Sequence, residues 1–118
     1  MAPLGVHHVS IMTPDVDAAL GFYVDVLGLT KRTDRPEFGI GGAWLDAGGQ
    51  QVHLVEGPTP SYTGQHFAFL VDDLDGLITD LRGRGYEIDE PFDSGVGRQT
   101  TVKDPCGNVV ELNQPNKR

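Results

Sequence analysis

The first half of the chain alternates short apolar runs with turn residues in a regular order. Residues 5–12 alternate between apolar and polar types and are rich in Val and Ile, which predicts a strand. A helix is predicted next, capped by Asp15 or Asp17 and ended by Gly28, with these apolar residues at helical spacing: Val16, Ala19, Leu20, Tyr23 and Leu27. Three more strands are predicted at 29–33, 39–46 and 51–56. The predicted order is therefore β-α-β-β-β.

The second half predicts the same order after a segment rich in Pro and Gly at 57–64. A strand is predicted at 65–71, followed by a helix that Asp72 or Asp73 caps and whose apolar face is Leu74, Leu77, Ile78 and Leu81. The remaining strands are predicted at 86–89, 98–103 and 109–113, with a tight turn at 104–108. The polar residues 114–118 are predicted to fray.

The two halves are related by an internal repeat of 58 residues. This offset pairs His8 with His66 and His53 with Glu111, and it also pairs aspartates and glycines of the turns: Asp15 with Asp73, Asp46 with Asp104, and Gly49 with Gly107. Such a repeat predicts two copies of one supersecondary unit, and neither copy is large enough to bury a core alone. We therefore predict a single α+β domain at 1–118 built of two βαβββ modules, at about 4–56 and about 65–114, joined by a linker at 57–64.

Four side chains of metal-binding type occupy one predicted sheet face. Because successive strand residues point to opposite faces, His8, His53, His66 and Glu111 all lie opposite large apolar residues that suit a helix-packing face. A polar residue at such a position costs free energy unless it is paired, and these types suit Zn, Fe(II), Ni, Mn or Co. We predict that the four bind one divalent metal ion, although His53 could instead face substrate. His7 is predicted on the Val9 face, as a structural or exposed residue.

The composition excludes several partners. The net charge of −8 argues against nucleic acid and anionic membranes, which both need basic patches. No apolar run is long enough to span a membrane, and Met1-Ala-Pro-Leu lacks the features of a secretory signal. Cys106 is the one cysteine and cannot form an internal disulfide, so a reduced, cytoplasmic location is predicted.

Three stretches carry a resemblance to a known family. They are His8-Val-Ser-Ile with the following residues to Leu29, Gln65-His-Phe-Ala-Phe-Leu-Val-Asp-Asp-Leu-Asp75, and residues 97–112, which include Asp104-Pro-Cys-Gly-Asn and end in Glu111-Leu. Together they resemble the vicinal oxygen chelate superfamily. That group includes glyoxalase I, fosfomycin resistance enzymes, methylmalonyl-CoA epimerase, extradiol dioxygenases and bleomycin resistance proteins.

The resemblance implies a fold, an assembly and a chemistry. It implies the glyoxalase/dihydroxybiphenyl dioxygenase-like fold, a homodimer of four modules, and metal ligands at His8, His66 and Glu111. It also implies an enzyme, a metal-dependent lyase, isomerase or dioxygenase, that chelates a small oxygen-bearing substrate and uses Glu111 as general base. His53 stands where glyoxalase I has a glutamate and the epimerase a glutamine, so standard glyoxalase I activity is not expected.

Substrate contacts and two rival functions complete the predictions. Arg98 and Gln99 are candidates to hold a substrate oxyanion, and Trp44 is a candidate for a pocket wall with Phe38 and Tyr62. One rival is a non-catalytic drug-binding protein of the bleomycin resistance type, which confers antibiotic resistance; the acidic charge favours it and the ligand set disfavours it. The other rival is a metal-free structural relative.

Overall fold

The computed structural model describes residues 1–117 and divides into two compact units. The first unit is Met1–Ser61 and the second begins at Tyr62, so the boundary falls inside the predicted linker. Each unit contains one four-stranded sheet and its own helix. The α+β class predicted from the sequence is confirmed.

The first unit has the predicted βαβββ order. Its sheet has the strand order β1-β4-β3-β2, in which β1 runs parallel to β4 and the other neighbours are antiparallel. A π-helical segment continues the helix α1 before the chain turns at Gly28, whose φ of 85° is the predicted left-handed stop. The elements are β1 His8–Thr13, α1 Val16–Leu20, the π-helical segment Gly21–Val26, β2 Thr30–Lys31, β3 Gly42–Ala47 and β4 Gln50–Glu56.

The second unit repeats this topology. Its sheet has the order β5-β8-β7-β6, again with the first strand parallel to its neighbour and the others antiparallel. The matching strand order confirms that the 58-residue repeat marks a structural repeat. The elements are β5 Phe67–Leu70, α2 Leu74–Gly83, β6 Phe92–Asp93, β7 Gly97–Lys103 and β8 Val109–Pro115.

An aspartate caps the N-terminus of each helix. Each helix also packs against a central strand of its own sheet. Asp15 accepts a hydrogen bond from the backbone N–H of Ala18, and Asp73 accepts one from Gly76, each at 3.0 Å. Within its own unit, α1 lies against β4 and α2 against β8. The buried apolar side chains are Ile11, Ala19, Phe22, Tyr23, Ala43, Leu45, Val52 and Leu54 in the first unit, and Leu74, Ile78, Leu81, Ile88, Val102, Val110 and Leu112 in the second.

Two predictions for the second unit were wrong. Residues 86–89 form no strand; the short strand is β6, because a hydrogen bond from Ser94 N to Gly97 O at 2.9 Å closes a hairpin with β7. Strand β8 continues to Pro115, where fraying was predicted, because the Gln114 side chain accepts a hydrogen bond from Leu74 N at 2.8 Å. The tail is thus held to the start of α2.

None of the helices in residues 1–117 has the length and apolar character needed to cross a membrane.

Candidate metal centre

The second unit brings two of the predicted ligands into direct contact. His66 lies just before β5, and Glu111 lies on the neighbouring strand β8, paired in register with Ala68. The Nε2 atom of His66 is 3.0 Å from Oε1 of Glu111. The Glu111 side chain is 12% exposed and that of His66 31% exposed, so the pair is partly shielded but reachable.

The His66 ring is held by two hydrogen bonds, one at each ring nitrogen. Its Nδ1–H donates to the backbone carbonyl of Gly64 at 2.8 Å, and its Nε2–H donates to the carboxylate of Glu111. The Gly64 carbonyl raises the pKa of His66 most, and the Glu111 carboxylate raises it further. Both contacts therefore favour the protonated form of the ring. The Gly64 bond leaves Nε2 as the atom that can bind a metal once its proton is released.

Two amide side chains hold the Glu111 carboxylate in place. Asn113 Nδ2 donates to Oε2 of Glu111 at 2.9 Å, and Gln99 Nε2 donates to Oε1 at 3.4 Å. Gln99 was predicted near the site, but Asn113 was missed. Its signal was in the sequence, because residue 113 shares a strand face with residue 111.

The raised pKa of His66 gives a direct test of this pair. We expect Glu111→Gln to lower the His66 pKa, because the neutral amide no longer stabilises the imidazolium, while the Gly64 bond keeps part of the shift. An NMR titration of the histidine ring protons in metal-free protein measures it. An unchanged His66 titration would mean that the pair does not form in solution.

The first unit stacks its two predicted ligands. His8 on β1 and His53 on β4 share a sheet face, since Ser10 pairs with His53 and His8 with Gln51. Their ring centroids are 3.9 Å apart and the planes differ by 14°. The Nε2 atom of His53 lies 2.8 Å from Oε1 of Gln51. Burial lowers the pKa of His53, and the charges of His8 and His7 lower it further, so the protonated form of its ring is disfavoured.

Trp44 covers the other face of His53. It is the register partner of His53 on β3, and their rings stack at 4.5 Å with planes 11° apart. Because β3 and β1 flank β4 on opposite sides, His53 is held between Trp44 and His8. Phe38 extends the row, with its centroid 6.0 Å from that of Trp44. Trp44 and Phe38 therefore lie near the His53 ring, and their role as a pocket wall stays a prediction.

The position predicted for His7 was wrong. Its ring lies beside those of His8 and His53, with centroids 5.2 and 6.4 Å away, rather than on the Val9 face. The Nδ1 atoms of His7 and His8 are 2.9 Å apart. Strand β1 begins only at His8, so the alternation of strand faces does not extend to His7.

The structure places Arg98 away from Glu111. Its guanidinium forms two hydrogen bonds with Asp75 of α2, at 3.0 and 2.9 Å, and this cation lowers the pKa of Asp75. Arg98 therefore lies on the helix-bearing face of the sheet, while Gln99 lies on the Glu111 face. Tyr62, another predicted wall residue, has its ring centroid 6.4 Å from that of His66.

The comparison with protein families is decisive. The sequence profile of the Glyoxalase/Bleomycin resistance protein/Dioxygenase superfamily matches residues 5–112. The chain belongs to this superfamily. The family resemblance predicted from the sequence is confirmed, as is the two-module glyoxalase fold.

The similar proteins include both glyoxalase-type proteins and an antibiotic binding protein. CFP32 of Mycobacterium bovis, which bears the name of a glyoxylase, is 33% identical over 109 residues, or 89% of this chain. The chain spans only 42% of the length of that relative. A glyoxalase family protein of Bacillus anthracis superposes with a TM-score of 0.87 at 25% identity, covering 98% of both chains. TnmS3, an antibiotic binding protein of Streptomyces sp. CB03234, gives 0.80 at 29% identity, covering 98% of this chain and 99% of its own.

Histidine and glutamate side chains are donor types that suit a divalent ion, and their arrangement differs between the two units. The 3.0 Å between His66 Nε2 and Glu111 Oε1 is a hydrogen-bond distance, and it also keeps the two donor atoms close enough to share one ion. In the first unit the His8 and His53 rings are stacked with nearly parallel planes, so the exposed His8 would have to rotate before both rings could bind one ion. Within residues 1–117 no group of three or more His, Cys, Asp or Glu side chains is arranged to hold a metal. The assembly of all four ligands stays a prediction.

Proposed function

We propose that the chain is a divalent-metal-dependent enzyme that chelates a small substrate through two neighbouring oxygens. The reaction would be of the lyase or isomerase class, or a dioxygenation. The observation that carries this proposal is the contact between His66 and Glu111, two residues of metal-binding type whose donor atoms lie 3.0 Å apart. In a metal-free structural relative the histidine would need only a hydrogen-bond partner. Here its partner is a partly shielded carboxylate that two amide side chains also orient.

The proposed ligands are His8, His66 and Glu111, with His53 as the fourth. Two histidines with one carboxylate suit non-haem Fe(II) as well as Zn or Mn, and a third imidazole suits Ni or Co. A bound ion would act as a Lewis acid that stabilises negative charge developing on the substrate oxygens. The proposal includes the homodimer and the cytoplasmic location predicted from the sequence.

The other groups of the two units have separate roles. Glu111, on leaving the ion during turnover, would accept a proton from the substrate as general base, with Asn113 keeping the carboxylate oriented at Oε2. The Gln99 amide lies on the same face and can donate to a substrate oxygen. Trp44 provides an apolar wall and keeps the His53 ring in one orientation.

A second function is favoured by one comparison. TnmS3 is an antibiotic binding protein, and its likeness covers nearly the full length of both chains. Sequestration of a drug without catalysis is therefore the alternative. The net charge of −8 suits a cationic drug such as bleomycin. The proposed ligand set of three histidines and one glutamate argues for the enzyme.

Metal analysis of protein purified without a His-tag tests the proposal. We expect stoichiometric divalent metal, and turnover by the metal-loaded chain of either a hemithioacetal or a catechol. A ligand that binds only the native state raises the melting temperature, so bleomycin added to metal-free protein tests the alternative. Absence of metal uptake together with a bleomycin-induced rise in melting temperature would replace the enzyme proposal by sequestration.

A further inference from the structure

Arg35 is an anchored cation in the loop between β2 and β3. Its Nη2 donates to the backbone carbonyl of Ile40 at 2.9 Å, and its Cζ lies 5.1 Å from the centroid of the Phe38 ring. The guanidinium also fills the space beside Gly42, where an added Cβ would lie 2.9 Å from Nη2. These three contacts fix the position of a half-buried guanidinium.

Arg35 differs from the other arginines of residues 1–117 because it has no salt-bridge partner. Arg32 is held by both Asp34 and Asp46, and every remaining described arginine also pairs with a carboxylate: Arg82 with Glu90, Arg84 with Asp80, and Arg98 with Asp75. A guanidinium has five N–H donors, and the Ile40 carbonyl uses one of them. The remaining donors form a planar fork suited to an oxyanion.

The free guanidinium stands at one end of the row of rings that includes the proposed ligands of the first unit. From Arg35 the row passes through Phe38, Trp44, His53 and His8, with successive separations of 5.1, 6.0, 4.5 and 3.9 Å. A ligand lying along this row would therefore meet the histidines at one end and a cation at the other.

The acidic charge of the whole chain strengthens the case that Arg35 binds a ligand. With a net charge of −8, the chain repels anions at long range, and carboxylates are abundant enough to pair with a surface arginine. A half-buried arginine that remains without one keeps its hydrogen-bonding capacity for a ligand. Charge-assisted hydrogen bonds to a bidentate oxyanion are among the stronger polar contacts in proteins.

We propose that Arg35 binds an anionic oxygen group of the substrate, so that the substrate is a small organic anion. This inference rests on the proposed function: one end of the molecule would chelate through neighbouring oxygens near His8 and His53. The other end would carry a carboxylate or phosphonate against Arg35. Arg35 thereby takes the oxyanion-binding role that the sequence suggested for Arg98, whose guanidinium is occupied by Asp75.

A pair of probes that differ only in charge tests the inference. Dihydrocaffeate has a catechol for chelation and a carboxylate on a flexible arm, and its primary amide has the same shape without the charge. Calorimetric titration of Mn(II)-loaded protein gives the dissociation constant of each probe. We expect the wild-type chain to bind dihydrocaffeate about tenfold or more tightly than the amide, since a bidentate guanidinium–carboxylate contact is worth at least about 1.4 kcal/mol.

Three variants test whether the preference for dihydrocaffeate over its amide comes from Arg35. Arg35→Met should bring the ratio of the two constants to about one and leave the affinity for the amide unchanged, which also shows that the fold is intact. Arg35→Lys should keep part of the preference. Arg84→Met removes the same charge from an exposed position on α2's C-terminal side and should keep the full preference.

The possible failures are distinguishable. Equal binding of the two probes by wild-type protein, or a preference that survives Arg35→Met, overturns the role of Arg35 and leaves the chelating enzyme standing. Binding of neither probe to the Mn(II)-loaded chain contradicts the proposed function, and the assignment of Arg35 falls with it.

Discussion

Replacing Glu111 by alanine is expected to weaken Zn(II) binding by at least about 100-fold, because loss of a mere outer-shell partner already costs 10–100-fold in metal affinity. Glu111 is proposed as a direct ligand, and the variant also removes the carboxylate that fixes Nε2 of His66. Competition titration with a coloured chelator measures the affinity. The result would be a protein that folds normally but no longer retains metal through dialysis.

The matched control for this variant is Glu87→Ala. Glu87 is an exposed carboxylate of the same unit, so its removal changes the net charge by the same amount without touching the proposed site. It should leave the Zn(II) affinity within about twofold, since surface charges are screened. Equal losses in the two variants would show that Zn(II) responds to the overall charge of the chain and not to Glu111.

Replacing Leu112 by alanine is expected to destabilise the fold by about 2–5 kcal/mol, the range observed when a buried leucine is truncated. Leu112 lies on β8 with no exposed surface, beside the register partners Phe69 and Thr100. Urea unfolding followed by circular dichroism measures the change as a lower midpoint at unchanged slope.

Leu70→Ala is the matched control for the core. Leu70 is 80% exposed on β5 of the same unit, so removing its side chain leaves no internal cavity. Its free energy of unfolding should stay within about 0.5 kcal/mol of the wild type. A destabilisation by Leu70→Ala as large as that by Leu112→Ala would mean that Leu70 is buried in solution, against a surface outside the chain.

The fold was predictable where local pattern and topology agree. The repeat was visible in the alternation along residues 8–13 and 50–56 and in the aspartates at both helix starts. The two sheets indeed have the same strand order. The strand at 92–93 was missed because its position depends on a hairpin closed by Ser94 and Gly97, which no periodicity reveals. The π-helical segment at 21–26 was missed because its apolar spacing resembles that of an α-helix.

Side-chain pairing in the candidate site was only partly predictable. The period of two correctly put His8 with His53 on one sheet face, and Ala68 in register with Glu111 accounts for the nearby His66. Contacts between strands, such as Trp44 stacked on His53, follow from register, which the sequence does not fix. The free guanidinium of Arg35 depends on which carboxylates the fold brings near each arginine, and that is a property of the three-dimensional structure.

The proposed function takes its metal ligands from the histidines of the first unit and from Glu111 of the second. Trp44 is the only tryptophan of the chain and stacks on His53, so its fluorescence reports directly on an ion bound there. Co(II) quenches indole fluorescence at short range. Titration of metal-free wild-type protein with Co(II) should quench Trp44 with saturation at one ion per chain, and the same concentrations should leave Glu111→Ala unquenched. Equal quenching of the two proteins would contradict the shared site.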